Sequence, residues 1–485
     1  MCDHYRKRRH FLDSRIATIS PIKSKAQNVK SINHETSFLS SFMLIGTAFQ
    51  HRGHEQSECI WLSLCIVAIS WNYSNTSTIS LLYVIIKILR AHVERRTAPL
   101  ELEFQTKPCL MFKETSDNDR ISWHCQVFGE DAERAGEVNG RSAYLKIEGL
   151  DNTFGLKSGV TTLFAEEAII SSNSLVIPNG ASVTFETKEV EGRKLAVDTV
   201  DVTKSVLVVR VKGPTFETTS PIEELVSNVF GDNDDRYNLK SQMEGCSYGR
   251  VQIEKATGDN IRDGATLVEI AEDSDDRKEM ERFVLNGLED IFSTNDLKTV
   301  ADLILICMPR FSSDWSGYAY TNSPLSFYND DRCNYPSLQL HEVGHNFNLG
   351  HSSQIVSEYG DESGTMGGSI FVDEGERSLR CYNAAKNWQL GWFAENSIDL
   401  DLVEDAWTGK LIAPANFQES KESEKTVVLK IADHYYVQFN YATGYNDGSS
   451  EFINRVTVSI FTINGECFLC VFPSSTYSHL FCVFR

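Results

Sequence analysis

One eleven-residue stretch, His341 to His351, constrains this chain more than any other: it reads H-E-x-x-H-x-x-N-x-x-H. His341 and His345 lie four apart, so a helix through them puts both rings on one face. Glu342 stands beside the first ring, placed to reach a water on a metal rather than the metal itself. His351 follows six residues after His345, out of phase with that face. The helix must therefore stop and the chain double back. Asn348 and Gly350 are the residues expected to take the left-handed backbone of such a stop. Three neutral imidazoles with a fourth position open to water form the ligand set of a catalytic zinc ion. The bland alternative is an amphipathic core helix whose histidines merely coincide with the pattern.

Downstream, Tyr359 to Gly368 is rich in turn formers and carries one methionine, Met366. In a zincin of this pattern a tight turn places a thioether beneath the histidines. A methionine filling an ordinary loop is the competing reading.

The histidine run followed by the methionine turn resembles the metzincin clan of zinc endopeptidases. Around it, Tyr328–Ser337, Cys381–Trp392 and Asn238–Gly249 resemble the gametolysin family, algal metalloproteases that cut extracellular-matrix and cell-wall glycoproteins. The resemblance covers residues 97–457, with its specific motifs between 200 and 400. It implies His341, His345 and His351 as zinc ligands, Glu342 as catalytic base and Met366 as the Met-turn residue. It also implies an α/β (α+β) metzincin-like catalytic domain, with a mixed twisted sheet and an active-site helix. The expected substrate is a protein or peptide, an extracellular glycoprotein above all. One departure stands out: where many metzincins carry a tyrosine two residues after the turn methionine, this chain has Gly368.

The rest of the chain divides by pattern. Residues 1–96 form a basic, polar leader interrupted by apolar runs at 59–71 and 79–89, each shorter than a bilayer span. They suit a signal sequence or an interrupted anchor, hence secretion or attachment facing outside. Two sequons begin at Asn72 and Asn75. From 97 to 199, period-two alternation at Tyr144–Glu148 and Val183–Phe185 marks strands. In the resembled family this segment is a pro-region that blocks the cleft until removed. There Cys109 or Cys125 either supplies a latency thiolate to the zinc or bonds to the other across a hairpin.

The domain at 200–400 opens with Val206–Val211, a continuous apolar run suited to a strand buried on both faces. Ser220 and Pro221 suggest a helix with serine as cap and proline first. Val251–Ile253, Thr266–Ile270 and Leu303–Cys307 read as strands, and Asp275–Phe292 as a core-covering helix. Trp315–Tyr328 is expected to supply an edge strand lining the substrate cleft, where an extended peptide adds by backbone hydrogen bonds. Asp232–Asp235 fails the calcium-loop pattern, because Arg236 stands at a ligand position, and reads as a solvated acidic loop. Residues 401–457 form a small β-rich region with strands at Val427–Ile431 and Tyr435–Phe439. The tail, 458–485, has no evident pattern.

Net charge is −21, unevenly spread: the first hundred residues carry 13 Lys/Arg against 6 Asp/Glu, the other 385 carry 33 against 61. A body that acidic repels nucleic acid, which excludes that class of partner. Oligomeric state is left open. Scattered cysteines without paired metal spacing point to disulfides, with Cys246, Cys307, Cys333 and Cys381 pairing in some order. Two rival functions survive: a catalytically inactive zinc-binding adhesion relative, and a zinc hydrolase acting on something other than peptides.

Overall fold

The computed structural model describes residues 104–461, except 117–120, 138–140, 151, 172, 188–198, 233–234, 312–314, 355–356, 369–378, 401–406, 419–424 and 433, together with 467–471 and 479–482. The leader with its two apolar runs lies outside the described residues, as do parts of the acidic loop and the tail. Among the described residues no helix is long and apolar enough to cross a membrane.

An N-terminal layer is built from β1 (Cys109–Ser116), β2 (Ser122–Val127), a short helix α1 (Glu130–Arg134), β3 (Ala143–Glu148), β4 (Thr161–Ala165), β5 (Ile169–Ile170), β6 (Ser174–Val176) and β7 (Val183–Thr187). The alternation seen at 144–148 puts Leu145 and Ile147 inside and Lys146 and Glu148 outside. Cys109 and Cys125, on paired strands, form a disulfide. That settles the open alternative: neither sulfur is available as a latency thiolate.

The next layer begins with β8 (Val202–Lys212), then α2 (Ile222–Phe230), α3 (Leu239–Cys246), β9 (Val251–Lys255), β10 (Ala265–Glu269), α4 (Arg277–Phe292), β11 (Leu303–Met308), β12 (Gly317–Tyr320), β13 (Leu325–Asn329) and α5 (Pro336–Asn346). Strands β8, β10, β11 and β13 run parallel, and β12 turns back antiparallel to β13. The unbroken apolar runs follow from burial on both faces. Val206, Val208, Leu303 and Leu305 join the core under α2, α3 and α5, while Leu207, Val209, Ile304 and Ile306 join the core under α4.

Two local expectations fail. Helix α2 starts at Ile222 with Pro221 in the capping position and no side-chain cap. Ser220 is diverted instead: its hydroxyl accepts from Asn334 Nδ2 and its carbonyl from Arg210 Nε. The segment 315–328 is a hairpin, not one strand, and β12 is no free edge. Strand β1 pairs with it in antiparallel register, merging both layers into one thirteen-stranded sheet.

Beyond α5 come β14 (Ser352–Ser353), α6 (Ala384–Leu390), β15 (Ser397–Leu400), β16 (Trp407–Lys410), β17 (Val428–Ile431), β18 (Tyr435–Asn440), β19 (Arg455–Phe461), β20 (Cys467–Val471) and β21 (His479–Cys482). They make a second, six-stranded sheet, ordered β14-β20-β19-β18-β17-β15, and a two-stranded ribbon of β16 with β21. Ile412, Phe417 and Val428 of this region share a core with α3 and α5.

Candidate metal centre

Helix α5 is set down on the sheet by its own sequence. Strand β13 ends in a short 3-10 turn, and Pro336 occupies the first turn of α5, where a missing N–H costs nothing. The disulfide Cys307–Cys333 ties that turn to β11, and Gln339 Nε2 donates to the Cys333 carbonyl at 2.6 Å. From Leu338 to Asn346 every residue of α5 is buried. The helix then stops as the motif requires. Asn348 takes φ 65°, with Asn348 N donating to the His345 carbonyl and Leu349 N to that of Gly344. Gly350, expected to share the left-handed backbone, does not adopt it. One such residue suffices to reverse the chain.

The reversal brings His351 back to the helix. Ring centroids of the three histidines lie 4.9, 4.7 and 5.3 Å apart, and one ligand atom from each falls within 4.8 Å of the others. All three are buried. Their Nδ1 atoms are engaged outward: His341 with the Thr365 carbonyl at 2.7 Å, His345 with that of Leu349 at 2.8 Å, and His351 with Glu358 Oε1 at 2.5 Å. A carbonyl and a carboxylate only accept, so each Nδ1 carries the proton and each Nε2 keeps a lone pair. His345 Nε2 and His351 Nε2 then face each other as two acceptors 3.0 Å apart. A shared cation reconciles them, and that spacing is close to the roughly 3.3 Å between two nitrogens on a tetrahedral zinc. The donor set fits that metal.

Electrostatics agree. Burial, then repulsion from the neighbouring rings and the Lys113 charge, holds His345 well below the ordinary imidazole value. Burial, His341, Lys113 and Lys386 do the same for His351. Both are therefore neutral, as ligands must be, without any help from a metal.

Glu342 is 1% exposed and adjoins His341 on α5. Strand β12 passes so near that a methyl group on Gly317 would sit 2.8 Å from Glu342 Oε1. At the other end of β12, Asn322 N donates to the His345 carbonyl at 3.0 Å. The strand thus runs the length of the site. Met366 lies beneath: a Cβ on Gly344 would be 2.4 Å from its sulfur, so the thioether packs on the helix backbone between the first two histidines. Tyr382 supports the same spot, its hydroxyl donating to the Leu340 carbonyl. The turn itself is held by buried Asp361, which accepts from Ser363 N and Asn383 Nδ2.

All five residues singled out in the sequence, His341, Glu342, His345, His351 and Met366, come together here. Glu358 and Tyr359 were not anticipated. The Tyr359 ring lies 4.1 Å from that of His351, and its carbonyl accepts from Gly368 N at 2.7 Å. A tyrosine thus does stand beside the third histidine, delivered from before the methionine rather than after it. No spacing rule marks either residue.

Residues 205–446 match the family model described as gametolysin peptidase M11, and among curated proteins nothing matches the chain. The chain belongs to the gametolysin family, whose members are metallopeptidases.

Proposed function

We propose that this gametolysin-family chain is a zinc-dependent endopeptidase acting on extracellular-matrix or cell-wall proteins, with Glu342 as its general base. The observation that carries the reading is the convergence of three buried imidazoles, two on one helix and one just past its end, beside a buried carboxylate of that helix. Zinc bound by His341, His345 and His351 would supply a Lewis acid that brings a water near its ionisation at neutral pH and polarises a carbonyl.

The remaining work falls to the chain's own groups. The Glu342 side chain lies against Gly317 of β12, and next to His341 in sequence it would face a water held at the three histidines. Its carboxylate takes the proton of the attacking water and returns it to the departing amine nitrogen, base and acid in turn. Thr365, Leu349 and Glu358 hold the three rings in the tautomer that presents Nε2 inward. Met366 fixes the height of α5 above the turn. Once the N-terminal layer is removed, the edge of β12 now paired with β1 would offer backbone groups to an extended substrate, which favours peptide over other hydrolysable bonds.

Three disulfides among the described residues, Cys109–Cys125, Cys246–Cys381 and Cys307–Cys333, suit an oxidising compartment. They support secretion, or anchoring with the catalytic body outside. The N-terminal layer would be the pro-region of a zymogen. The test uses the chain after limited proteolysis between β7 and β8, with denatured collagen or casein as substrate. Cleavage sensitive to a chelator, one zinc per chain, and loss of turnover but not of zinc in Glu342→Gln are expected. Near wild-type cleavage by Glu342→Gln would remove the assignment.

A further inference from the structure

Behind the methionine turn runs a strap, Arg380 to Asn383, in which every residue takes hold of the centre. Asn383 Nδ2 donates to Asp361, and the Tyr382 hydroxyl to the Leu340 carbonyl of α5. The Cys381 carbonyl accepts from Thr365 N at 3.0 Å, and the carbonyl of that same Thr365 engages His341 Nδ1. Arg380 reaches furthest. Its Nη1 donates to the carbonyls of Glu362 and Gly368 at 3.1 and 3.0 Å, and its Nε to that of Gly448 at 3.1 Å. One nitrogen thus joins both ends of the stretch that carries Met366.

Arg380 is 4% exposed. A guanidinium that deep is costly unless its charge is matched. Among the described residues no carboxylate stands within ion-pair reach of it, and its Nη2 has no hydrogen-bond partner. For stability alone, an apolar side chain of similar volume serves as well or better. What only the cation supplies is a planar fork that draws three carbonyl oxygens to one point. The third of them, on Gly448, belongs to the region 401–457, which by pattern stands apart from the domain at 200–400. The structure fastens that loop to the strap: Gly448 N donates to the Leu379 carbonyl at 2.8 Å, and Asn446 Oδ1 accepts from Cys381 N at 3.0 Å. The disulfide Cys246–Cys381 ties the strap to α3 as well. The strap is therefore anchored on two sides without any metal.

We propose that Arg380 is a positioning residue of the three-histidine centre: it closes the methionine turn against this anchored strap and, through Thr365, sets the angle of His341 before a metal binds. The loop at 446–448, in the C-terminal region, is then part of the frame of the metal centre. This rests on the metallopeptidase reading of the site and adds to it how one ligand is held in place.

The experiment uses the full chain, with and without zinc, as wild type, Arg380→Lys, Arg380→Gln and Arg236→Gln. Arg380→Lys keeps the charge and loses the fork, whereas Arg236→Gln removes only a surface ion pair to Asp447 in the same C-terminal loop. Amide hydrogen exchange is read at Thr365, Gly367 and Gly368, all main-chain donors at the turn. Zinc affinity comes from competition with a chromophoric chelator, and ligand geometry from the absorption bands of the cobalt-substituted chain. In the wild type these amides should be as protected without zinc as with it. Arg380→Lys should expose them, lower zinc affinity about tenfold and shift the cobalt bands. Arg380→Gln should do more, and Arg236→Gln nothing. Free exchange in the metal-free wild type overturns the proposal even if no variant folds. So does wild-type zinc affinity in a folded Arg380→Lys chain, or an equal loss in Arg236→Gln. None of these readouts needs turnover. If all come out as expected while no form, nicked between β7 and β8, cleaves casein, the peptidase reading falls and the clamp stands.

Discussion

At the scale of single residues, the three-histidine cluster is asymmetric. Two histidines lean on main-chain carbonyls, but His351 leans on a carboxylate, Glu358, which is part-exposed while the ring is buried. A carboxylate partner raises the basicity of the ligand nitrogen opposite and fixes its ring more firmly than a carbonyl does. Replacing Glu358 by Ala should weaken zinc binding by about 10- to 100-fold, measured by competition with a chromophoric chelator. An affinity within twofold of wild type would show that the turn, not the carboxylate, orients the ring. Gly317 makes a second, separable prediction. A Cβ there lies 2.8 Å from Glu342 Oε1 and 3.2 Å from its Cδ and Cγ, so Gly317→Ala must push the Glu342 carboxylate aside. Turnover should fall at least about tenfold, since small displacements of a base are costly, with zinc content and KM little changed. The histidines and Glu342 were legible because helical phase is local: four residues apart means one face whatever the rest of the chain does. Glu358 and Tyr359 were not, because their approach depends on the path of a loop after the helix has ended. Gly317 was invisible too, since what excludes a side chain there is a residue 25 positions away.

Among elements, apolar pattern proved readable wherever two cores sandwich one strand. The runs at 206–211 and 303–307 lie on β8 and β11, and the heptad-like spacing at 275–292 lies on α4, whose cap is the side chain of Asp276 accepting from Glu279 N. What failed was competition for the same polar group. Ser220 had the chemistry of a cap, yet Asn334 and Arg210 claim its atoms, and propensity gives way to tertiary contact. Disulfides fix elements that pattern cannot. Cys246 at the end of α3 is joined to Cys381 before α6 across 135 residues, whereas Cys307–Cys333 spans 26. On the loop-entropy model, removing the first pair should cost about 5 kcal/mol and the second about 3.5 kcal/mol. Denaturant unfolding of the paired Cys→Ser variants tests the order. Were the short-loop variant the less stable, the role of Cys307–Cys333 would lie in holding the turn before α5 rather than in constraining the unfolded chain.

For the whole molecule, no feature of the sequence foretold that two layers would share one sheet, since pairing between β1 and β12 joins positions two hundred residues apart and each strand alone looks like any other. The seam's chemistry makes its response to acid predictable. Glu114 is buried, which by itself would raise its carboxyl, but Lys278, His124 and Arg277 outweigh that and hold it well below the usual carboxylate value. A depressed carboxyl stabilises the folded seam above its unfolded value and loses that contribution as pH falls through the folded one. His124 of β2, wholly buried against Glu114, Lys278, Glu281, Ser122 and the Tyr320 ring, is also lowered, first by burial and then by Lys278. An unfolded histidine takes a proton near 6.5 that the buried one refuses, so stability is lost from that pH downward. Both signs agree: the layers are held at neutral pH and weakened first below 6.5, then again in the carboxylate range. Chain nicked between β7 and β8 and stripped of metal should sediment as one particle at pH 7.5 and separate as pH approaches 4. His124→Gln, which cannot titrate, should remove the upper part of the transition and keep the lower. Separation that sets in only above neutrality, or that is insensitive to both Glu114 and His124, would mean that the ladder of main-chain bonds alone carries the seam.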